Sequence, residues 1–369
     1  MILAALLMSL SCLFCAFLPP WQVKAGRADL TSRMQPGSPD TVKKTLFRTR
    51  EEACEATFFA MDTIMSLKYY GDAKLAEEAK QMVEELEDSL SITKPESEIS
   101  RINASEETIL SEDTFHLLET ALQLCELTDG ALDITVYPVV REWGFTTGSY
   151  RVPEEEELEK LLELVDYSAA VLDEDDMTIR LPEGMMADLG SVAKGWTGDH
   201  LLELFAENGV ESALVNLGGN VQTLGRKPDG SFWKVAVQDP GSDGYLGVLS
   251  IENEAVVTSG GYERYFEEDG KTYWHIIDPA TGYPAESGLL SVTIVGSQGV
   301  ICDALSTALF VMGREKAEAF WLDNEDLAFD FILATDDGDV IISEGLEGRF
   351  KTMDAYAKAD VTVVRRQMP

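Results

Sequence analysis

Two spacings of hydrophobic residues recur along the chain, and they separate predicted strands from predicted helices. Short apolar runs bounded by turn residues indicate strands, whereas apolar residues three and four positions apart indicate amphipathic helices. The strand pattern occurs at 57–70 (one long strand or a pair), 212–216, 221–225, 233–238, 262–266, 272–277, 290–295, 328–334 and 340–343. The helix pattern occurs at 73–90, 112–128, 153–164, 191–208 and 300–312, and residues 169–181 fit a hairpin.

Tight-turn sequences join several of these strands. The segments 228–230, 269–270 and 336–338 each contain Asp-Gly and each separate two predicted strands, which is typical of hairpins. Helices therefore mix with hairpin-paired strands, and this predicts an α+β fold with mixed, largely antiparallel sheets flanked by helices. The chain has neither G-x-G-x-x-G after a strand nor G-x-x-x-x-G-K-[ST], so dinucleotide-binding and P-loop folds lack their fingerprints.

The first 20 residues differ from the rest of the chain. Residues 2–18 carry no charge and end at Pro19-Pro20, a length that suits a signal peptide or a short membrane anchor. No Lys or Arg precedes Lys24, which leaves an uncleaved anchor or a different start open. We expect a signal peptide or anchor at 1–20, a polar tether at 21–55, the folded domain at 56–350 and a C-terminal tail at 351–369. The protein would then be exported to the cell envelope and anchored to the outer face of the cytoplasmic membrane, with lipidation of Cys12 as a further option.

The net charge of the protein disfavours several classes of binding partner. The 369 residues include 66 Asp and Glu against 29 Lys and Arg, a net charge of −37. Such a surface repels nucleic acid and anionic lipid headgroups, so contact with the membrane would be through the N-terminal segment only. An anionic ligand would need a local positive group. Cys54, Cys125 and Cys302 are widely spaced and form no metal-binding motif, so buried free thiols are expected.

The segment 188–195, Asp-Leu-Gly-Ser-Val-Ala-Lys-Gly, could supply such a positive group. It leads into a predicted helix, whose free amide groups and dipole favour anions. Lys194 would lie in the first turn, where a cation is unfavourable for the helix alone. A bound anion would explain that lysine, although a solvated lysine on an ordinary capped helix also fits.

Two further segments carry groups suited to catalysis. Asp303 and Thr307 are four residues apart on a predicted helix, so their oxygens share one face and could bind Mg²⁺, although an ordinary polar face also fits. His275, one of three histidines, ends a predicted strand just before a turn, where a general base is often held. A half-buried strand histidine is the alternative. The glycine-containing turns at 130–133, 216–220 and 258–264 would let a flat ligand approach the backbone, although ordinary turn glycines also fit.

Taken together and in this order, these segments resemble the FAD:protein FMN transferase (ApbE) family from about Phe58 to Gly345. No single piece is specific, but ten pieces in collinear order are. The pieces are MDT (61–63), KPESEISRIN (94–103), DGALD (129–133), WGF (143–145), DLGSVAKG (188–195), NLGG (216–219), QDP (238–240), TSG (258–260), HIIDP (275–279) and DALST (303–307).

The resemblance implies an ApbE-like, T-fold-related fold and an enzyme that uses FAD as a substrate with Mg²⁺. Such enzymes attach FMN to a Thr or Ser hydroxyl of an acceptor protein and release AMP. Typical acceptors are flavin-bearing subunits of redox pumps or extracellular electron-transfer proteins. Carried over by position, Asp303, Thr307 and the main-chain oxygen of Ser191 would hold the metal, and His275 would be the catalytic base. The FAD site would be lined by Met61, Ala131, Leu132, Asp133, Asp188, Lys194, Thr258, Gly260 and Ile276.

The chain departs from the family pattern at two positions. Thr93 stands where many members have an aromatic residue that stacks on the ligand, and Ser306 stands where some have an additional carboxylate. Two alternative functions share the flavin contacts, namely a non-catalytic FAD-binding envelope protein and a Mg²⁺-dependent FAD pyrophosphatase. Only the transferase would leave flavin covalently attached to an acceptor protein.

Overall fold

A nine-stranded mixed sheet organises the protein, as seen in a computed structural model that describes residues 52–353, 356 and 360–366. The strands of the chain are β1 (Cys54–Ala60), β2 (Thr63–Tyr69), β3 (Val171–Asp173), β4 (Thr178–Arg180), β5 (Ala213–Leu217), β6 (Asn220–Leu224), β7 (Trp233–Gln238), β8 (Tyr245–Ile251), β9 (Ala255–Gly260), β10 (Tyr265–Glu268), β11 (Lys271–Trp274), β12 (Leu289–Gly296), β13 (Phe329–Thr335), β14 (Val340–Ser343), β15 (Phe350–Thr352) and β16 (Val361–Val364). The helices are α1 (Leu75–Leu90), α2 (Glu98–Asn103), α3 (Glu112–Leu127), α4 (Tyr137–Glu142), α5 (Glu155–Leu162), α6 (Ala193–Glu207) and α7 (Gly299–Asp323).

The order of strands in the large sheet is β1-β2-β5-β6-β9-β12-β13-β14-β16. Every neighbouring pair in it is antiparallel except β14 and β16, which are parallel. A smaller sheet, β15-β8-β7, and two hairpins, β10-β11 and β3-β4, complete the set. The α+β class with largely antiparallel sheets is therefore confirmed.

The two faces of the large sheet are covered by different layers. Side chains of one face, such as Val256 on β9, pack with Trp233 and Leu249 of the smaller sheet. The next residue, Val257, packs on the opposite face with Leu305 and other residues of α7. Because successive side chains of a strand point to opposite faces, every second residue of β9 faces α7.

Helices α6 and α7 cross very closely at their N-terminal ends. A side chain at Gly195 would overlap the Gly299 carbonyl, so only glycine permits this approach. Asp199 of α6 accepts hydrogen bonds from the amides of Gly299 (2.8 Å) and Val300 (2.9 Å), and so caps α7. Burial raises the pKa of Asp199 to about 7, against the effect of these two amides. The cap fixes where α7 begins, and therefore which α7 residues face α6.

A break divides α7 at Gly313, whose φ of 74° and ψ of 172° are not helical. The predicted helix at 300–312 corresponds to the first half alone. The second half carries Ala317 and Trp321 into the core that lies under β13. The candidate metal ligands Asp303 and Thr307 both belong to the first half.

The structure differs from the sequence expectations at three places. β6 and β7 do not form a hairpin across 228–230, since β6 pairs with β5 and β9 while β7 pairs with β8 in the smaller sheet. Part of the expected C-terminal tail belongs to the fold, because Val361–Val364 pairs with β14. The last residues of the expected tether do as well, because β1 begins at Cys54.

Most other expectations are met or lie outside the described residues. The segment 57–70 is a pair of strands, β1 and β2, which turn at Met61 (φ 47°) and Asp62 (φ 58°). Cys125 and Cys302 are buried free thiols, as expected, whereas the free thiol of Cys54 is only half-buried, contrary to the expectation. The predicted leader, at 1–20, lies outside the described part. Within that part, no helix combines the length and apolar character that a membrane crossing needs.

Candidate active site

Asp303 lies at the crossing of α6 and α7 and is almost fully buried, with 5 % of its surface exposed. Its Oδ2 accepts a hydrogen bond of 2.8 Å from the amide of Gly195. Burial raises the pKa of the Asp303 carboxyl, while nearby Lys194 and the Gly195 amide lower it. No described Lys or Arg forms an ion pair with this carboxylate. A buried, unpaired carboxylate is costly, and a cation beside it would offset the cost.

The Gly195–Asp303 bond also affects Ser191. In a regular helix the amide of Gly195 would bond to the carbonyl four residues earlier, which is that of Ser191. That amide donates to Asp303 instead, and α6 begins only at Ala193. Among the described residues, no backbone amide donates to the Ser191 carbonyl. This carbonyl oxygen is thus left available at the N-terminus of α6, close in sequence to the residue that holds Asp303.

Thr307 follows Asp303 by one helical turn and contacts strand β9. Its Oγ1 lies 3.3 Å from Oγ of Ser259, which lies 2.7 Å from Oγ of Ser306. Ser306 is completely buried, whereas Thr307 is half-buried. A carboxylate, a hydroxyl and a free carbonyl are all hard oxygen donors, the set that suits Mg²⁺ together with water and phosphate oxygens. No cluster of three or more His, Cys, Asp or Glu suited to a metal occurs in the described residues.

Lys194 interacts electrostatically with titratable residues of three predicted segments. Its positive charge lowers the pKa of His275 and opposes the rise that burial causes in the pKa of Asp188 and Asp303. Its own Nζ has a single long contact, 3.5 Å to the carbonyl oxygen of Gly190. Segments 188–195 and 303–307 are thus joined by the Gly195–Asp303 hydrogen bond, and Lys194, which has no carboxylate partner among the described residues, acts electrostatically on both Asp303 and His275.

His275 is half-buried at the end of β11, and its backbone amide donates to the carbonyl of Arg264 at 3.0 Å. Its Nδ1 lies 3.3 Å from the same carbonyl. A carbonyl only accepts, so Nδ1 carries the proton and Nε2 keeps a free lone pair. Burial, Arg264 and Lys194 together lower the pKa of His275 to about 4. The ring is neutral at neutral pH, in the tautomer that can take a proton at Nε2.

The remaining predicted FAD residues fall into several environments. Met61 and Ala131 pack at the edge of the cluster that contains Leu132, near the starts of α6 and α7. Ile276 is buried in the separate cluster between the sheet and α7. Gly260 ends β9, against the ring of Tyr262.

Asp133 and Asp188 organise backbone as well as carrying charge. Oδ1 of Asp133 accepts from the amide and the hydroxyl of Thr135, and Oδ2 accepts from the Tyr167 amide at 3.1 Å. Asp188 accepts from the Gly190 amide at 2.9 Å, which shapes the turn before α6. Burial raises the pKa of both carboxyl groups despite these bonds.

Sequence reasoning missed two groups at this site. Thr258 bonds to Thr293 (2.8 Å), while its neighbour Ser259 is the β9 residue that meets α7. Strand alternation could have separated the two, but only with knowledge of which face α7 covers. Glu263 is the second group, since partial desolvation and Asp303 raise the pKa of its carboxyl, while Lys194 and Arg264 lower it. Its side chain remains exposed at the surface.

A separate surface cleft of about 380 Å³ lies elsewhere. Residues of α1 and α3, together with Ser111 and His200, line it. None of the predicted site residues takes part. Its carboxylates, Glu78, Glu85 and Asp113, would repel a diphosphate, so this cleft does not suit the predicted ligand.

Comparison with known proteins finds consistent relatives. The model of the ApbE family matches residues 61–330. The FAD:protein FMN transferase of Klebsiella pneumoniae is 34% identical over 82% of this chain and 96% of its own length, and that of Vibrio cholerae is 33% identical over 75% and 86%. Among solved structures, the ApbE protein of Thermotoga maritima has a TM-score of 0.76 at 33% identity, covering 81% of this chain and 99% of its own. The flavin transferase ApbE of Vibrio cholerae has a TM-score of 0.72 at 30% identity, covering 81% and 100%.

Proposed function

Because this chain belongs to the ApbE family, we propose that it is a FAD:protein FMN transferase, which moves the FMN part of FAD onto another protein. The observation that carries the proposal is the convergence on Lys194 of a buried carboxylate, Asp303, and a neutral histidine, His275. A lysine and a cation would both stabilise the negative charges of a diphosphate, and the hydroxyl of an acceptor needs a base.

The proposed reaction joins the acceptor hydroxyl oxygen to the phosphorus of the FMN half. The bond from that phosphorus to the bridging oxygen breaks, and AMP leaves. Nε2 of His275 takes the hydroxyl proton, since Nδ1 is held by the Arg264 carbonyl. Lys194 stabilises negative charge on the phosphates.

A magnesium ion is part of the proposal. Asp303, Thr307 and the Ser191 carbonyl would hold it, and their chemistry fits because all three offer hard oxygen donors at one helix crossing. When bound, Mg²⁺ would polarise the phosphoryl oxygens and stabilise charge on the departing phosphate.

The first test combines the purified protein with FAD, Mg²⁺ and a candidate acceptor domain. We expect the acceptor to gain the mass of one FMN. Asp303→Ala should abolish the transfer because the buried oxygen ligand is lost. His275→Ala should still bind FAD but transfer about 10²- to 10⁴-fold more slowly, the usual contribution of a general base.

The matched control is His200→Ala, because His200 lies in the separate cleft and not at the α6–α7 crossing. It should transfer at the wild-type rate. Wild-type turnover in both Asp303→Ala and His275→Ala would contradict the assigned roles. Release of FMN and AMP into solution without a labelled acceptor would instead indicate a pyrophosphatase.

The cell envelope is the proposed location, with redox-pump subunits or extracellular electron-transfer proteins as acceptors. This rests on the apolar segment 2–18 and on the polar residues that follow it. Fractionation of cells followed by detection of the protein in the membrane fraction, and its release when residues 1–20 are deleted, would test the location.

A further inference from the structure

Three side-chain hydroxyl groups form a row between β9 and α7, and the row ends on a main-chain carbonyl. The hydroxyl of Ser306 donates to the Asp303 carbonyl oxygen at 2.8 Å. Ser259 lies 2.7 Å from Ser306 and 3.3 Å from Thr307. Of the three, Thr307 is the proposed metal ligand.

The direction of the hydrogen bonds in this row follows from counting protons. Each hydroxyl has one proton to donate and two lone pairs to accept with, whereas a carbonyl only accepts. Ser306 gives its proton to the Asp303 carbonyl, so it must accept from Ser259. The single proton of Ser259 is thereby used, and the contact between Ser259 and Thr307 is a hydrogen bond only if Thr307 donates.

We propose that Ser259 is a positioning residue that, together with Ser306, turns the Thr307 hydroxyl proton toward β9 and leaves its lone pairs free for a divalent cation. This inference rests on the magnesium site in the proposed function. A metal binds the lone pairs of an oxygen, so an oxygen whose proton is already directed elsewhere is a preorganised ligand.

Thr197, within α6, and Thr128, which follows the last residue of α3, show what Thr307 would do without such support. Thr197 donates to the carbonyl of Ala193 at 2.7 Å, and Thr128 donates to that of Leu124 at 2.8 Å. Both are bonds to the residue four positions earlier, the usual partner of a threonine in a helix. For Thr307 that partner is the Asp303 carbonyl, which Ser306 already occupies. The row therefore blocks the default bond and supplies another acceptor.

The test measures binding of Mn²⁺, and its displacement by Mg²⁺, by electron paramagnetic resonance in the absence of FAD. Ser259→Ala removes the acceptor of the Thr307 proton and should weaken binding about 10-fold, as is typical when a group that orients a metal ligand is lost. Thr223→Val is the matched control, since it removes a buried strand hydroxyl that bonds to the Glu254 carbonyl, away from α7. It should bind Mn²⁺ as the wild type does.

A double-mutant cycle separates the row from a general loss of packing. Ser306→Ala frees the Asp303 carbonyl for Thr307 and should also weaken binding about 10-fold. Both changes act through the hydroxyl proton of Thr307. The double variant should therefore bind Mn²⁺ no more weakly than either single variant does. If the two single losses of Mn²⁺ affinity multiply in the double variant, the proposal is overturned. Wild-type Mn²⁺ affinity in folded Ser259→Ala would overturn it as well.

The outcomes also separate this inference from the proposed function. If the wild-type protein binds no Mn²⁺ or Mg²⁺, the magnesium requirement and the inference both fail. If the wild type binds and Ser259→Ala binds equally well, only the inference fails. Thermal unfolding of each variant is measured first, and Ser306→Ala carries the test if Ser259→Ala does not fold.

Discussion

The protonation state of individual side chains determines which of them can accept a proton at this site, and His275 is the clearest case. Its pKa of about 4 has three causes: burial, the neighbouring Arg264 and the charge of Lys194. The same positive charges that would attract a diphosphate therefore keep the base in its neutral form. The fixed Nδ1 proton then selects Nε2 as the atom that accepts.

The pH dependence of kcat/KM follows from this value. His275 must be neutral to accept a proton, and the fraction of neutral ring falls only as the pH drops through about 4. An ordinary histidine would lose half of its neutral form near pH 6.5. We expect kcat/KM at saturating Mg²⁺ to stay level from pH 7 to pH 5, with circular dichroism to verify that the fold persists. A loss centred near pH 6.5 would contradict the shift.

At the scale of elements, the crossing of α6 and α7 positions the site. Helix α7 is capped by Asp199 of α6, and α6 gives its Gly195 amide to Asp303 of α7. Gln222 of β6 donates to the Gly195 carbonyl at 2.8 Å, so the sheet also fixes the position of Gly195. The candidate ligand and the helix that presents it are thus fixed by contacts exchanged between the two helices.

Gly195→Ala tests this crossing. The added methyl group would overlap the Gly299 carbonyl and lie 2.6 Å from Cα of Val300, so backbone must move. We expect a loss of about 1–3 kcal/mol in the free energy of unfolding, the usual cost of overpacking, and weaker binding of Mn²⁺. Urea unfolding and metal titration measure the two effects. Gly241→Ala is the control, because its methyl group would lie at an ordinary 3.5 Å from Asp239, and equal results for both variants would contradict the role of the crossing.

At the scale of the whole molecule, the net negative charge of the protein repels the negatively charged FAD. A net charge of −37 creates a repulsive field for the two phosphates of FAD, while the attraction of Lys194 acts locally. Salt screens the distant charges first, since the Debye length falls from about 30 Å at 0.01 M to about 8 Å at 0.15 M.

Association of FAD should therefore become faster as salt is added, in contrast to most charged pairs. Stopped-flow flavin fluorescence measures the rate over this range of salt. Riboflavin, which has no phosphate, is the control and should associate at a rate that depends little on salt. An FAD rate that falls with salt would mean that the local positive field outweighs the rest of the surface.

Local patterns predicted the elements better than they predicted how elements pair. The helices α1 and α3 and the hairpin β10–β11 follow directly from period and turn residues. The turn at 228–230 is also real, but a turn sequence does not say whether its two strands stay in one sheet, and here they do not. Val361–Val364 joins the sheet through a parallel pairing that no local signal marks.

The same distinction holds for the site. Asp303, Thr307 and Lys194 could be predicted as candidates because each lies in a segment whose spacing suits that chemistry, and the resemblance to the ApbE family then favoured these assignments. Ser259 was missed in favour of Thr258, since the choice between adjacent residues of β9 depends on which face of the sheet α7 covers. The pKa of Glu263 likewise depends on neighbours distant in sequence.

The interruption of α7 at Gly313 has a consequence for how freely the chain length can vary. In an unbroken helix, one inserted residue rotates everything beyond it by about 100° relative to everything before it. Such an insertion between Asp199's two amide partners and Thr307 would swing the oxygen donors out of register with α6. Beyond Gly313 the two halves no longer share a helical phase, so an insertion there alters only the packing around Trp321. The distal half of α7 should therefore tolerate a change of length better than the half that precedes Gly313.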